Sequence, residues 1–382
     1  MTRLITQARR LVVKLGSSCV ASGQGQARYD ILQALAAEIA RLMAGPPRRQ
    51  ILLVSSGAVA LGWPALGFKR RPGPMPDKQA AAAVGQAVLM GVYRSVFEPL
   101  GRPVAQVLLT ADDVRHRARF SHAYRTFEAL LARGAVVVVN ENDTVAVDEI
   151  RVGDNDTLSA MVAVMVEAEL LVILSDVDGV YTADPRKSPQ ATRLSVVERL
   201  DELPVAQALA GQAGPLGTGG MRTKVEAARV ATQAGIPVVV ARAQPGVLES
   251  LVVSGKVDGT LFLPASRVLR GKKRWLAFYA TWQGSLAVDD GAREALVSGG
   301  KSLLSAGVIA VEGDFPAGSV VRLVDRRGAE FARGVAAYSA EAIRRALESA
   351  ARPGLEVVHR DNLAITVQGP WPPNGVKEAV SG

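Results

Sequence analysis

Over the first two thirds of the chain, short uninterrupted apolar runs alternate with longer alanine-rich stretches whose apolar positions recur every three or four residues. A continuous β-branched run suits a strand covered on both faces, and the longer recurrence suits a helix. Strands are therefore expected at Arg10–Leu15, Gln50–Val54, Val104–Leu109, Ala135–Val139, Leu170–Leu174 and Pro237–Val240. Helices are expected between them at Tyr29–Met43, Asp77–Phe97, Phe120–Arg133, Thr157–Glu167 and Arg222–Ala234. Such alternation predicts an α/β fold, an open and mostly parallel sheet sandwiched by helices. Ligands of these sheets bind beyond the carboxyl ends of the strands. That singles out Gly16-Ser17-Ser18, Ser55-Ser56-Gly57, Asn140-Glu141-Asn142-Asp143 and Ser175-Asp176.

Near residue 266 the pattern changes. Arg267, Arg270, Lys272, Lys273 and Arg274 crowd into a stretch, 266–274, that reads as a basic linker. Beyond it, short segments punctuated by glycine predict a small β-rich domain over 275–360, with Trp275, Phe278, Tyr279 and Trp282 at its first strand. Those aromatic residues suit a core better than a base-stacking platform. The remaining tail, 361–382, is proline-containing from Gln368 onward and is expected to be disordered. The resulting division is 1–265, linker, 275–360 and tail.

Composition narrows the class. With 382 residues, 48% of them hydrophobic and 21% charged, the chain has the makings of two or three folded domains and not of a disordered protein. One cysteine, Cys19, excludes an internal disulfide, and three histidines leave few ligands for zinc. The longest apolar candidate for a bilayer span, 158–174, is broken by Glu167 and Glu169, and Lys14 interrupts the apolar run after Arg9 and Arg10 before it can serve as a signal core. No membrane association and a cytoplasmic location are expected. The net charge of +9 is spread along the chain, so an anionic ligand and an arginine-rich composition explain it equally well.

Three segments carry chemistry. Gly217-Thr218-Gly219-Gly220-Met221-Arg222-Thr223-Lys224 puts bare backbone N–H groups and a helix start together, an arrangement that cradles phosphate, although it has neither the Walker A nor the dinucleotide-binding spacing. Lys14 stands at the end of an apolar strand, before Gly16-Ser17-Ser18, where an ammonium either snorkels to solvent or faces an anion. The densest polar segment runs from Asn140 through Asp143 to Asp154-Asn155-Asp156, beside a very apolar strand. Its carboxylates could hold a substrate ammonium, orient Lys14 and Lys224, or bind magnesium through water. The cysteine and histidines form no nucleophile-base set.

In this order, Val12-Val13-Lys14-Leu15-Gly16-Ser17-Ser18, Val54-Ser55-Ser56-Gly57-Ala58, Lys78-Gln79-Ala80 to Gly85-Gln86, Asn140 to Asp143, Val152-Gly153-Asp154-Asn155-Asp156, Tyr181 to Arg186 and Gly217 to Lys224 resemble the amino acid kinase family, followed by a PUA domain. The Asn-Glu-Asn-Asp and Gly-Asp-Asn-Asp segments resemble the glutamate-phosphorylating branch. That resemblance implies ATP contacts at Lys14, Ser175, Asp176, Thr218, Gly219, Gly220, Met221, Arg222, Thr223 and Lys224, with serine at position 175 where the family often has threonine. It implies glutamate contacts at Ser56, Asp143 and Asn155, and a catalytic set of Lys14, Lys224 and Asp156, the last orienting the two lysines. It further implies Mg²⁺ bound mainly through the phosphates, L-glutamyl 5-phosphate as product in the first step of proline biosynthesis, and proline as a feedback inhibitor. A homo-oligomer, dimer or tetramer, and a functional link to glutamate-5-phosphate reductase are implied too. An aspartokinase-like enzyme or an RNA-binding PUA protein are the rival readings.

Overall fold

The structure, a computed structural model, describes residues 2–145, 155–183, 185, 188–200, 220–265, 271–349 and 354–366. The chain divides into two compact units, the first comprising 1–114 and 120–267 and the second 115–119 and 268–382.

The first unit is built on an eight-stranded sheet. Its strands are β1 (Arg10–Leu15), β2 (Gln50–Ser55), β3 (Val104–Leu109), β4 (Val136–Glu141), β5 (Leu170–Ser175), β6 (Val196–Val197), β7 (Val238–Arg242) and β8 (Gly259–Phe262), in the order β3-β4-β2-β1-β5-β7-β8-β6. Every described pairing is parallel except β7 with β8. The helices are α1 (Thr2–Thr6), α2 (Ser17–Val20), α3 (Tyr29–Ala44), α4 (Ala58–Gly62), α5 (Met75–Phe97), α6 (Ala111–Arg115), α7 (Arg117–Ala132), α8 (Asn155–Met165), α9 (Gly220–Gln233) and α10 (Val247–Val252). The six expected strands and five expected helices are all present. The short strands β6 and β8 were not anticipated, because two residues and a glycine-led run of four carry too little periodicity to stand out.

Alternation along β1 decides where the chemistry lies. Leu11, Val13 and Leu15 join Ile51, Leu53, Val136, Val138, Leu170, Val172 and Leu174 in one core, together with residues of α3, α5 and α10. Lys14 therefore projects to the other face, since successive side chains of a strand point to opposite sides. Its strand is otherwise fully apolar and buried from Leu11 to Leu15, which fixes the register at which the lysine emerges.

Helix α5 is long and apolar enough to cross a bilayer by length and composition, contrary to the expectation that no segment would be. Here its Leu89, Val92, Tyr93, Val96 and Phe97 are buried in the sheet core. It also crosses α4 at backbone contact distance: a Cβ on Gly85 would overlap the Ala58 carbonyl, and one on Gly62 would overlap that of Ala81. Gly85→Ala is expected to lower stability by about 1–3 kcal/mol through overpacking, measured as a fall in the thermal unfolding midpoint. An unchanged midpoint would mean that the two helices separate freely.

The second unit has a five-stranded sheet, ordered β11-β9-β12-β13-β15, from β9 (Gly284–Val288), β11 (Val308–Glu312), β12 (Val320–Val324), β13 (Glu330–Val335) and β15 (Leu363–Ile365). A two-stranded pair joins β10 (Leu303–Leu304) to β14 (Glu356–Val358). Two corrections arise here. Trp275, Phe278 and Tyr279 lie in or just beyond a helix, α11 (Gly271–Phe278), and not on a strand; their spacing of three and four residues matches one helical face, and all three are buried. The same helix starts inside the stretch read as a linker, whose residues 266–270 lie outside those described. The expected tail begins too early as well, because Leu363–Ile365 pairs with β13 and buries Leu363 and Ala364; residues 367–382 lie outside those described. The β-rich reading of this region holds. Its buried Arg333 bonds Glu330 at 2.7 Å and stacks 4.8 Å from the Trp282 ring, so the cation is neutralised inside the unit.

Candidate active site

Three elements converge beside the carboxyl end of β1. Lys14 comes from β1, Asp156 from the first turn of α8, and Thr223 and Lys224 from the start of α9. The helix begins at Asn155, earlier than its apolar pattern suggested, because an acidic residue in the first turn complements the unpaired N–H groups there. Asp156 Oδ1 lies 2.5 Å from Lys14 Nζ, and Oδ2 lies 3.1 Å from Lys224 Nζ. The Thr223 hydroxyl donates to Oδ2 at 2.9 Å, and Lys224 also donates to the Gly220 carbonyl at 3.1 Å. One carboxylate thus bridges two ammonium groups, and all three side chains are buried.

Electrostatics follow from that geometry. Burial pushes the Asp156 carboxyl up, but the charges of Lys14 and Lys224 and their hydrogen bonds outweigh it and hold the group below the usual carboxylate range. Asp156 is therefore ionised at neutral pH and, with its pKa lowered, is a weak proton acceptor. The cluster carries two positive charges against one negative, so it is poised to accept an anion.

Beside this cluster lies a network of amides. Asn155 Nδ2 donates to Ser56 Oγ at 2.9 Å, to Asn140 Oδ1 at 2.9 Å and to the Ser55 carbonyl at 3.3 Å. Asn140 Nδ2 donates to Gln86 Oε1 at 2.8 Å, and Asn140 Oδ1 also receives the Glu141 N–H. Asn155 Oδ1 and Gln86 Nε2 are buried atoms that make no hydrogen bond to the described residues. An unused acceptor and an unused donor at one site suit a small polar ligand.

The structure brings Lys14, Asp156, Thr223 and Lys224 into direct contact, and Ser56 onto Asn155, the neighbour of Asp156. Ser175 ends β5, where the Gly16 N–H donates to the adjacent Leu174 carbonyl; its hydroxyl donates to the exposed Asp176 at 2.9 Å. Asp143 lies in the turn after β4 and is half-buried. Gly220, Met221 and Arg222 form the first turn of α9. Thr218 and Gly219, like Gly153 and Asp154, lie outside the described residues. Gln86 and Asn140 were quoted in motifs without a role. The available clue was a polar amide beside Gly85 in the alanine-rich helix α5, and the tertiary fold is what sets it against β4, 54 residues away. No group of three or more metal-ligating side chains occurs among the described residues.

Comparison with known proteins identifies the family. Residues 9–242 match the amino acid kinase family, and residues 284–352 match the PUA domain. The chain belongs to the amino acid kinase family. Among its relatives in that family, the glutamate 5-kinase of Moorella thermoacetica is 48% identical over 373 residues, covering 94% of this chain and 97% of that enzyme. That of Carboxydothermus hydrogenoformans is 47% identical, with 96% and 100% covered, and that of Deinococcus radiodurans 48% identical, with 93% and 99% covered. The protein is a kinase, and as an amino acid kinase it uses ATP. In the first unit the buried Lys14 stands at the carboxyl end of β1, where the α/β topology leaves a crevice.

Proposed function

We propose that this protein transfers the γ-phosphoryl group of ATP to the γ-carboxylate of L-glutamate, giving L-glutamyl 5-phosphate, the first step of proline biosynthesis. The observation that carries the reading is the Lys14–Asp156–Lys224 bridge beside the Asn155–Ser56 amide site. The first suits a triphosphate and the second a small polar acceptor, and both stand next to each other on α8.

The chemistry needs little more. A γ-carboxylate with an ordinary pKa near 4.3 is already an anionic nucleophile at neutral pH, so no general base is required. One lone pair of its oxygen forms the new O–P bond as the bond to the departing ADP oxygen breaks in line. In a loose phosphoryl transition state the task is alignment and charge neutralisation. Lys14 and Lys224 supply two fixed cations, and Asp156 holds them in place. Lys14, Ser175, Asp176 and the segment from Thr218 to Lys224 would meet ATP, while Ser56, Asp143 and Asn155 would meet glutamate. Mg²⁺ would ride on the phosphates, supplying further positive charge; Asp156 has both oxygens turned to ammonium groups, whereas the exposed Asp176, which accepts the Ser175 hydroxyl, is a described carboxylate that could approach the ion through water.

The direct test is ATP turnover in the presence of hydroxylamine, which captures an acyl phosphate as a hydroxamate. Glutamate should yield the hydroxamate and aspartate should not; turnover with aspartate alone would overturn the assignment. Within the same reading Asp143 pairs with the α-ammonium of glutamate. Asp143→Asn keeps the shape and removes the charge, so KM for glutamate should rise roughly 10- to 100-fold, the worth of one charge-assisted hydrogen bond, with KM for ATP nearly unchanged. Equal effects on both would place Asp143 elsewhere.

The domain assignment, proline inhibition, oligomerisation and a link to a reductase consuming the product belong to the same proposal. A homo-oligomer is supported by the edge strand β3, with Leu108 36% exposed, and by Val88, 41% exposed, on the adjoining α5. Each residue assigned to ATP or glutamate precedes residue 225, so a chain ending at Ala265 should retain glutamate-dependent turnover. A folded truncation without activity would mean that the second unit completes the site. RNA binding by that unit is disfavoured, since Trp275, Phe278 and Tyr279 are buried and offer no stacking platform.

A further inference from the structure

The carboxyl ends of the strands hold the chemistry just described, and the opposite edge of the same sheet holds a different concentration of charge. Arg9 immediately precedes β1, Arg48 and Arg49 lead into β2, Arg102 leads into β3 and Arg133 leads into β4. These five arginines line one cavity of about 660 Å³ at the amino ends of four adjacent parallel strands. It lies a full six-residue strand, roughly 20 Å, from the lysine cluster. The four strands are neighbours in the order β3-β4-β2-β1, which is why residues from 9 to 133 meet there.

The charge is uncompensated within the cavity. No carboxylate lines it, and none of the five guanidinium groups has a salt bridge among the described residues. The acids nearby are committed elsewhere. Glu128 pairs with Arg10, Glu38 receives the Gly246, Leu248 and Glu249 N–H groups, and Glu169 receives the Arg9 backbone N–H. Arg49 is 6% exposed, and its guanidinium is held by the carbonyls of Thr6, Ala8 and Val252 at 3.0–3.2 Å. Neutral carbonyls orient that cation without cancelling it. Arg48 and Arg133 are exposed, so they can swing onto a ligand, while Met43 and Leu131 give the cavity an apolar wall.

We infer that this cavity is a second binding site, separate from the catalytic one, for a small molecule bearing a di- or triphosphate. Its volume falls in the range of small-molecule pockets. Five guanidinium groups around that volume, Arg49 among them as a fixed charge whose fork already bonds carbonyls, call for densely packed negative charge, which several phosphate groups supply and one carboxylate does not.

The test is calorimetric titration of the full chain with inorganic tripolyphosphate, with citrate and with a single-stranded RNA oligonucleotide. In the double variant Arg48→Ala/Arg133→Ala the tripolyphosphate Kd is expected to rise about tenfold or more, the loss of charge-assisted hydrogen bonds from two forks. The thermal midpoint and the kinase activity should stay at the level of the unsubstituted chain, since both side chains are exposed and outside the catalytic cluster. The same binding event should persist in Lys224→Ala. Should that variant not fold, the stoichiometry of the unsubstituted chain is read instead: two tripolyphosphate sites per chain, one of them weakened by the arginine substitutions. An unchanged Kd in the arginine variant would overturn the inference, as would binding that disappears with Lys224 or a single tripolyphosphate site per chain that the arginine substitutions leave untouched. Citrate binding more tightly than tripolyphosphate would refute the phosphate class, and arginine-dependent RNA binding that tripolyphosphate does not displace would make the surface a nucleic-acid contact instead.

Discussion

Lys224→Ala is expected to lower kcat by roughly 10²- to 10³-fold, the usual consequence of removing one preorganised donor from a site of developing charge. The ammonium is buried and fixed from two sides, by Asp156 Oδ2 and the Gly220 carbonyl, each at 3.1 Å. A cation held that way is already oriented when the phosphoryl group begins to move, so its contribution falls on the transition state more than on ground-state binding. KM for ATP should therefore change less than kcat, as steady-state kinetics over both substrates would show. Near-normal turnover would remove Lys224 from the reaction.

A still larger combined effect is expected at Asp156. Asp156→Asn preserves the shape but strips the one anion between two buried ammonium groups, and breaking such a pair typically destabilises a protein by about 3–5 kcal/mol. Both lysines also lose their anchor, so kcat should fall at least as far as in Lys224→Ala. The two effects can be told apart from simple misfolding, because a triphosphate restores negative charge to the cluster. ATP should raise the thermal midpoint of the variant more than that of the unsubstituted protein. A variant that keeps its stability and its activity would mean that the lysines are held by something else.

The same bridge predicts a pH dependence with a definite sign. The folded-state pKa of Asp156 is depressed, so its stabilising contribution is complete above the unfolded value near 3.9 and is lost as pH falls through the lower folded value. Acid unfolding curves for the native chain and Asp156→Asn should converge at low pH and separate above it.

How much of this could be seen in the chain itself is clearest from particular elements. Strand β1 was legible to the residue, since four apolar positions, two of them valine, interrupted by one lysine permit little else. Helix α11 was misread because Trp275, Phe278 and Tyr279 are strong strand formers individually, and only their spacing betrays a helix. Strand β15 was lost to the proline-rich segment after it. Lys14 and Ser56 stood out as polar groups at the ends of apolar runs, which is where a parallel sheet leaves room for ligands, Asn155 and Asp156 as part of the densest polar segment, and Lys224 behind a glycine cluster at a helix start.

The order of strands, by contrast, is written nowhere in the local pattern. The alternation of apolar runs and helical stretches determined that there would be a parallel sheet, that its helices would cover both faces, and that the residues after each strand would carry the chemistry. It also determined that Lys14 must leave its strand on the face opposite Leu15. Only the tertiary structure decided that β5 lies beside β1, that α8 and α9 pack together so that one carboxylate meets two lysines 142 and 68 residues away, and that Gln86 faces Asn140. It alone gathered five arginines from separate strand-leading loops into one cavity. Local periodicity records which face of an element is buried, whereas contacts between distant elements depend on which strands pair, and pairing is selected by the packing of the whole sheet.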